Sequence, residues 1–114
     1  MVADINHFII YLREIKKTSK NTEVSYQRDL MQLASFLERQ GITEVDKVTK
    51  TSLTSYILYL EKEGKATTTI SRCLASMKAF FHYECKEGRI RKDPAELLKA
   101  PKVEKKDLRS GIVR

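Results

Sequence analysis

The sequence predicts an all-α protein, a bundle of four long helices followed by a short C-terminal helix. Four segments repeat apolar residues at the three- and four-residue spacing of an amphipathic helix. Only four glycines and two prolines occur in 114 residues, too few for the frequent turns of a sandwich or barrel. No segment alternates apolar and polar residues as a half-buried strand does. Four helices joined by short connections are expected to pack as antiparallel neighbours.

The first two predicted helices cover residues 4–17 and 21–40. Asp4 is the expected N-cap of the first, while Ser19 or Asn21 caps the second and Gly41 ends it in a left-handed conformation. The expected core stripes are Ile5, Phe8, Ile9, Leu12 and Ile15 on the first helix, and Tyr26, Leu30, Leu33, Phe36 and Leu37 on the second.

The third and fourth predicted helices cover residues 52–63 and 67–87. Thr49 is the expected cap of the third helix, and glycines end both. Their stripes consist of Leu53, Tyr56, Ile57 and Leu60, and of Ile70, Leu74, Met77 and Phe81. Cys73 and Cys85 lie twelve residues apart on the fourth helix, a separation of about 18 Å that excludes a disulfide. We expect both to be reduced and at least partly buried.

A short fifth helix is predicted after the fourth, with Asp93 as N-cap, Pro94 at its first position and residues 95–99 completing it. Helical periodicity stops beyond residue 102. We therefore expect one domain over residues 1–101, and a linker or disordered tail over residues 102–114.

Composition and motifs exclude several classes of protein. The longest apolar run, from Phe8 to Leu12, is far too short to span a membrane, and no secretion signal begins the chain. We expect a cytoplasmic protein. His7 and His82 lie on different predicted helices, without a carboxylate at metal-site or triad spacing, and no phosphate loop, HExxH or GxSxG motif occurs. We expect no metal, no cofactor and no enzyme activity of the chain by itself.

The net charge of +7 is concentrated in the second half of the chain. Residues 1–64 contain nine basic and nine acidic residues, whereas residues 65–114 contain 13 basic and 6 acidic ones. A one-sided excess of positive charge in a small domain favours a polyanionic partner.

Candidate DNA contacts cluster at the starts of the second and fourth helices. Hydroxyls and cations surround each start, and the unpaired N–H groups and dipole of a helix N-terminus attract phosphate. On the fourth helix Arg72 points away from the stripe and could reach a guanine edge or a phosphate, and small neighbours would allow close approach to a groove. The candidates are Lys20, Asn21, Thr22, Ser25 and Arg28 on the second helix, and Lys65, Thr67, Thr68, Thr69, Ser71, Arg72 and Lys78 on the fourth.

Other interpretations of these residues are open. The three threonines could simply cap the fourth helix. Glu23 and Asp29 oppose DNA binding and are expected to cap or to pair locally. Ala75 and Ala79 would also suit a helical protein-interaction module. A helix-turn-helix regulator is the weakest alternative, because helices of about 20 residues are long for that motif.

At these residues the chain resembles the Xer-type tyrosine recombinases and phage integrases. The resemblance covers residues 4–106 and consists of loose motifs in the right order. They are Ser19-x-x-Thr22-x-x-x-Tyr26-x-x-Asp29-Leu30, Phe36-Leu37, Gly41, Thr67-x-x-x-x-Arg72-x-Leu74-x-x-x-Lys78-x-Phe80-Phe81, Asp93-Pro94 and Pro101-Lys102.

The resemblance implies a core-binding domain, an orthogonal SAM-like helical bundle. In the family this domain and a C-terminal catalytic domain form a clamp around a recombination half-site, and the second and fourth helices face the major groove. It implies double-stranded DNA as partner, other recombinase protomers in the full-length protein, and a monomeric isolated domain. The catalytic Arg/His set and nucleophilic tyrosine belong to the second domain, and no tyrosine here matches. We expect either an excised domain of a longer protein or a natural truncation.

Overall fold

The computed structural model describes residues 1–98, in which four α-helices enclose one core. The helices are α1 (Val2–Tyr11), α2 (Lys20–Arg39), α3 (Lys50–Lys62) and α4 (Thr67–Lys86). A π-helical turn (Leu12–Lys16) extends α1, and a 3₁₀ turn (Val45–Lys47) lies between α2 and α3. No strand occurs within residues 1–98. The predicted all-helical class is confirmed.

The fourth helix is the centre of the bundle, since it packs against each of the other three. Phe80 and Phe81 are fully buried on it, and the Phe80 ring meets that of Phe8 on α1 edge-on, with centroids 5.7 Å apart. The predicted stripes of α2, α3 and α4 lie in this core, except that Tyr26 is only half-buried. Burial of these apolar side chains holds the bundle together.

Local capping sets the ends of α2 and α3 as the sequence predicts. Ser19 accepts a hydrogen bond from the Thr22 N–H at 3.2 Å, and Thr49 accepts one from the Ser52 N–H at 3.1 Å. Gly41 has φ +84°, a conformation that glycine adopts without steric cost. These contacts confirm Ser19 and Thr49 as the N-caps and Gly41 as the stop of α2.

The start and end of the first helix differ from the prediction. The helix begins at Val2 with Met1 as N-cap, and Asp4 lies in its first turn, so the predicted Asp4 cap is wrong. Ile15, predicted for the core stripe, is 67% exposed. The Lys17 N–H donates to the Leu12 carbonyl across a π-helical turn, which is wider than an α-turn. This wider turn rotates Ile15 away from the core.

The segment after α4 forms turns at residues 94–97, where a short helix was predicted. Asp93 still caps the segment, because the Ala95 N–H donates to its side chain at 2.9 Å. Ala95 and Leu98 are buried against the bundle. Lys99, the end of the predicted helix, and the predicted tail over residues 102–114 lie outside the described residues. The domain boundary at residue 101 stays a prediction.

Both cysteines of α4 are free, Cys73 buried and Cys85 partly buried, as predicted. Burial raises the pKa of the Cys73 thiol, which keeps it protonated and unreactive. Within residues 1–98, no group of three His, Cys, Asp or Glu side chains is placed to hold a metal ion. No helix in the same residues combines the length and apolar character needed to cross a membrane.

Candidate nucleic-acid interface

A surface groove of about 290 Å³ lies between the N-terminal halves of α2 and α4. Four of the predicted site residues, Asn21, Thr22, Ser25 and Arg72, line this groove. Tyr26, Ala75 and Ser76 complete its lining. The structure therefore brings together residues from both helix starts that the sequence singled out separately. We call this feature the α2–α4 groove.

The groove follows from helical spacing on two packed helices. Asn21 and Ser25 lie four residues apart on α2, as do Thr22 and Tyr26, so each pair shares a face. Arg72 and Ser76 have the same spacing on α4. Most of these side chains are small, which leaves open space between the two helices.

Arg72 is held in the groove by a two-point ion pair with Asp29. Its Nε donates to Oδ2 and its Nη2 donates to Oδ1, each at 3.1 Å. Ser76 Oγ donates a third hydrogen bond to Asp29 Oδ2, also at 3.1 Å. The Asp29 side chain is only 2% exposed, whereas that of Arg72 is 47% exposed. Hydrogen bonding to Asp29 raises the pKa of Arg72 above its usual value.

Glu23, the other acidic residue in the N-terminal half of α2, is also buried under an arginine. Arg13 Nε donates to Glu23 Oε1 at 3.1 Å. Glu23 and Asp29 were expected to cap a helix or to pair locally. Both do form pairs, but not with residues close in the sequence. Their partners lie 10 residues away for Glu23 and 43 residues away for Asp29. Both pairs depend on tertiary packing, and together they remove both carboxylates from the α2 surface.

The remaining candidate residues do not line the α2–α4 groove, but they precede or belong to the same two helices. Lys20, Arg28, Lys65 and Thr68 are exposed, while Thr67, Thr69, Ser71 and Lys78 are partly buried. Within residues 1–98 the four cations of this set form no ion pair. No acidic residue occurs on α4 before Glu84. In the part of the chain that the structure describes, these four cations are therefore not neutralised by a direct ion pair.

The start of α4 differs from the starts of α2 and α3. Its N-cap is Ala66, and no side chain makes a capping hydrogen bond there. The alternative in which the three threonines cap this helix is therefore wrong. The first-turn N–H groups of α4 are left without a side-chain acceptor, which is the condition for attracting an anion.

Three residues of the site were not recognised in the sequence as functional. Tyr26 was expected in the core or at its edge. It packs half-buried against the core, with its ring edge-on to that of Phe8 and the centroids 5.8 Å apart, and it also lines the groove. Ser76 and Asp29 form the support of Arg72. The four-residue spacing of Arg72 and Ser76 could have shown that the two side chains share a face of α4. Nothing in the local sequence indicates that Arg72 pairs with Asp29.

Comparison with known proteins agrees with the fold. Residues 5–88 match the family model described as "Phage integrase, N-terminal SAM-like domain". A protein of Caldanaerobacter subterraneus subsp. tengcongensis, whose name assigns it to the tyrosine recombinases, is 39% identical over 103 residues, covering 90% of this chain and 35% of that protein.

Two further relatives are named as Xer recombinases. Tyrosine recombinase XerC of Pseudomonas aeruginosa is 31% identical over 106 residues, covering 93% of this chain and 35% of the relative. Tyrosine recombinase XerD of Listeria monocytogenes is 29% identical over 103 residues, covering 90% of this chain and 34% of the relative. The chain spans about a third of the length of these relatives. With a family model matched over most of its length, the chain belongs to the phage integrase N-terminal SAM-like domain family.

Proposed function

We propose that the chain binds double-stranded DNA through the α2–α4 groove and the cations that flank it. The observation that carries the proposal is the convergence of Asn21, Thr22, Ser25 and Arg72 from two helix starts on one groove. Polar side chains of these types are the ones that contact phosphates and base edges in DNA complexes.

The distribution of charge also favours DNA binding at the α2–α4 groove. Burial of Glu23 and Asp29 under arginines removes the repulsion that two exposed carboxylates would exert on phosphates. Lys20, Arg28, Lys65 and Lys78 remain available around the groove. Each cation that neutralises a phosphate releases condensed counterions, and this release supplies much of the affinity of proteins for DNA.

The family context extends the proposal to site-specific recombination and integration. We propose that the chain is the core-binding arm of a tyrosine recombinase, which contacts a recombination half-site while residues outside this chain perform catalysis. Other recombinase protomers would join it on DNA in the full-length protein, and the isolated chain would be monomeric. A DNA partner agrees with the expected cytoplasmic location.

Fluorescence anisotropy with a labelled 30-base-pair duplex, titrated at several salt concentrations, tests the proposal. We expect weak binding that falls steeply with salt. The double variant K20A/R28A should reduce the slope of log K against log salt by about 0.9 for each phosphate that the variant no longer neutralises.

The matched control is K47A/K62A, which removes two exposed lysines outside α2 and α4. It should leave both the affinity and the salt slope unchanged. Absence of binding to any duplex at about 50 mM salt would contradict the proposal. Equal losses in the two double variants would show that the α2–α4 groove is not the binding surface. A salt-insensitive protein partner on this groove would favour the protein-interaction alternative.

A further inference from the structure

Resting on the proposed DNA binding, we infer that Arg72 contacts a base edge and not a phosphate, and that Asp29, fixed by Ser76, positions it for that contact. Arg72 would thus have a different task from Lys20 and Arg28, which lie outside the lining of the α2–α4 groove.

In the ion pair with Asp29, Arg72 keeps N–H donors that are unused and that point in a fixed direction. A guanidinium has five N–H donors in one plane. One on Nε and one on Nη2 are used by Asp29, so three remain on Nη1 and Nη2. Because both ends of the carboxylate are engaged, the plane of the guanidinium cannot rotate freely. Two parallel N–H donors in a fixed plane match the O6 and N7 acceptors of guanine in the major groove.

The charge of the pair argues against a phosphate contact. Asp29 is almost completely buried and cannot move away from Arg72 when DNA approaches. Its negative charge therefore cancels most of the attraction that the guanidinium would exert on a phosphate. Hydrogen bonding to a base edge needs directed donors and does not need net charge. Lys20 and Arg28, which have no such partner within residues 1–98, are suited to phosphates.

Ser76 makes the arrangement more rigid. Its hydroxyl is buried and donates to the same Asp29 oxygen that accepts from Arg72 Nε. Asp29 thus accepts three hydrogen bonds from two residues of α4, which fixes its rotamer. The neighbouring groove residue Ala75 is small, so a base edge can approach the guanidinium closely. A site held this firmly loses little side-chain entropy on binding.

The test compares two duplexes. One is enriched from a random-sequence library by the wild-type chain, and the other is its scrambled version. For R72A/D29N, which removes Arg72 without leaving the buried charge of Asp29 unpaired, we expect the affinity for the enriched duplex to fall about 5- to 150-fold, since one bidentate base contact contributes about 1–3 kcal/mol of discrimination. Binding to the scrambled duplex and the salt slope should stay within error of the wild type. The control R28A should weaken both duplexes equally and lower the salt slope by about 0.9.

A second set of variants tests the positioning role. D29N keeps the shape but frees the charge of Arg72. It should therefore bind the scrambled duplex more tightly, steepen the salt slope and lose preference for the enriched duplex. S76A should lose part of the preference without a change in salt slope. A purely structural role for Asp29 would lower thermal stability without any gain in non-specific binding. If D29N does not fold, R72K tests the geometry alone, because it keeps the charge but not the two-point pair. It should lose the preference for the enriched duplex and leave the salt slope unchanged.

Three results would overturn the inference. The first is a loss in R72A/D29N that is equal for both duplexes and accompanied by a smaller salt slope, which would identify a phosphate contact. The second is failure of the library to yield any preferred duplex, which would show that no base is distinguished. In both cases DNA binding itself still stands. The third is absence of binding to every duplex, which would overturn the proposed function together with the inference.

Discussion

The Glu84 carboxylate is completely buried and accepts a hydrogen bond from Arg89 Nη1 at 2.8 Å. Its second oxygen has no hydrogen-bond partner within residues 1–98. Arg89 also lies 3.8 Å from the carboxylate of Asp4, so two acids share one cation. Burial, with a further contribution from Asp4, raises the pKa of Glu84 to about 6.

The raised pKa of Glu84 predicts that the protein becomes more stable as the pH falls from 7 to 5. In this range the folded chain binds a proton that the unfolded chain does not, so the free energy of unfolding increases with acidity. With Glu84 titrating at about 6 instead of 4.5, the gain is about 1 kcal/mol. Urea unfolding at both pH values measures it. E84Q is the control and should remove most of this difference, and an unchanged difference in E84Q would assign it to another group.

Replacing Arg89 should be costly because it leaves Glu84 buried without a partner. We expect R89A to lower the free energy of unfolding at pH 7 by about 2 kcal/mol, below the full cost of breaking a buried pair because Arg89 is partly exposed. The loss should shrink at pH 5, where Glu84 is protonated, and in an E84Q background. Thermal and urea unfolding of the wild type, R89A, E84Q and the double variant R89A/E84Q give the coupling energy between the two side chains. R91A, which removes an exposed arginine two residues away, should be neutral. Equal losses in the Glu84 and E84Q backgrounds would contradict this assignment.

The missing cap of α4 can be supplied. Ala66 has the extended backbone of an N-cap, φ −63° and ψ 149°, close to the φ −70° and ψ 159° of Ser19. A66S should therefore stabilise the fold by about 1 kcal/mol, and S19A should destabilise it by a similar amount. Denaturation midpoints of the two variants check both signs. A neutral A66S would mean that the Thr69 N–H already has an acceptor.

The π-helical turn predicts unequal effects of two substitutions only three residues apart. L12A removes a buried side chain and should cost about 2–5 kcal/mol, whereas I15A changes an exposed one and should stay within about 0.5 kcal/mol. Urea unfolding distinguishes them directly. A large loss of stability in I15A would instead show that Ile15 is part of the core, as the sequence predicted.

The elements that the sequence predicted well are those fixed by local interactions. Ser19, Thr49 and Gly41 set helix ends through hydrogen bonds or backbone conformations that span only a few residues. The apolar stripes of α2, α3 and α4 follow a regular 3.6-residue period. The same period placed Asn21, Ser25 and Arg72 away from the core stripes, which made them recognisable as candidates.

The elements that it missed depend on irregular backbone or on tertiary packing. A helical wheel assumes a constant angle per residue, so it could not show the π-helical turn that exposes Ile15. The ion pair of Arg72 with Asp29 joins residues 43 positions apart and forms only after α2 and α4 pack together. The sequence spacing identified Arg72 as an exposed cation, but it gave no indication that the Asp29 carboxylate balances the charge of Arg72.

The ion pair between α2 and α4 also links binding to cooperative folding. Local opening that detaches α4 from α2 separates Arg72 from Asp29 and removes one wall of the groove at the same moment. A duplex that needs both walls binds only the closed state, so it shifts the opening equilibrium by mass action. Native-state hydrogen exchange would then show slower exchange along the whole of α4, including turns that no ligand touches.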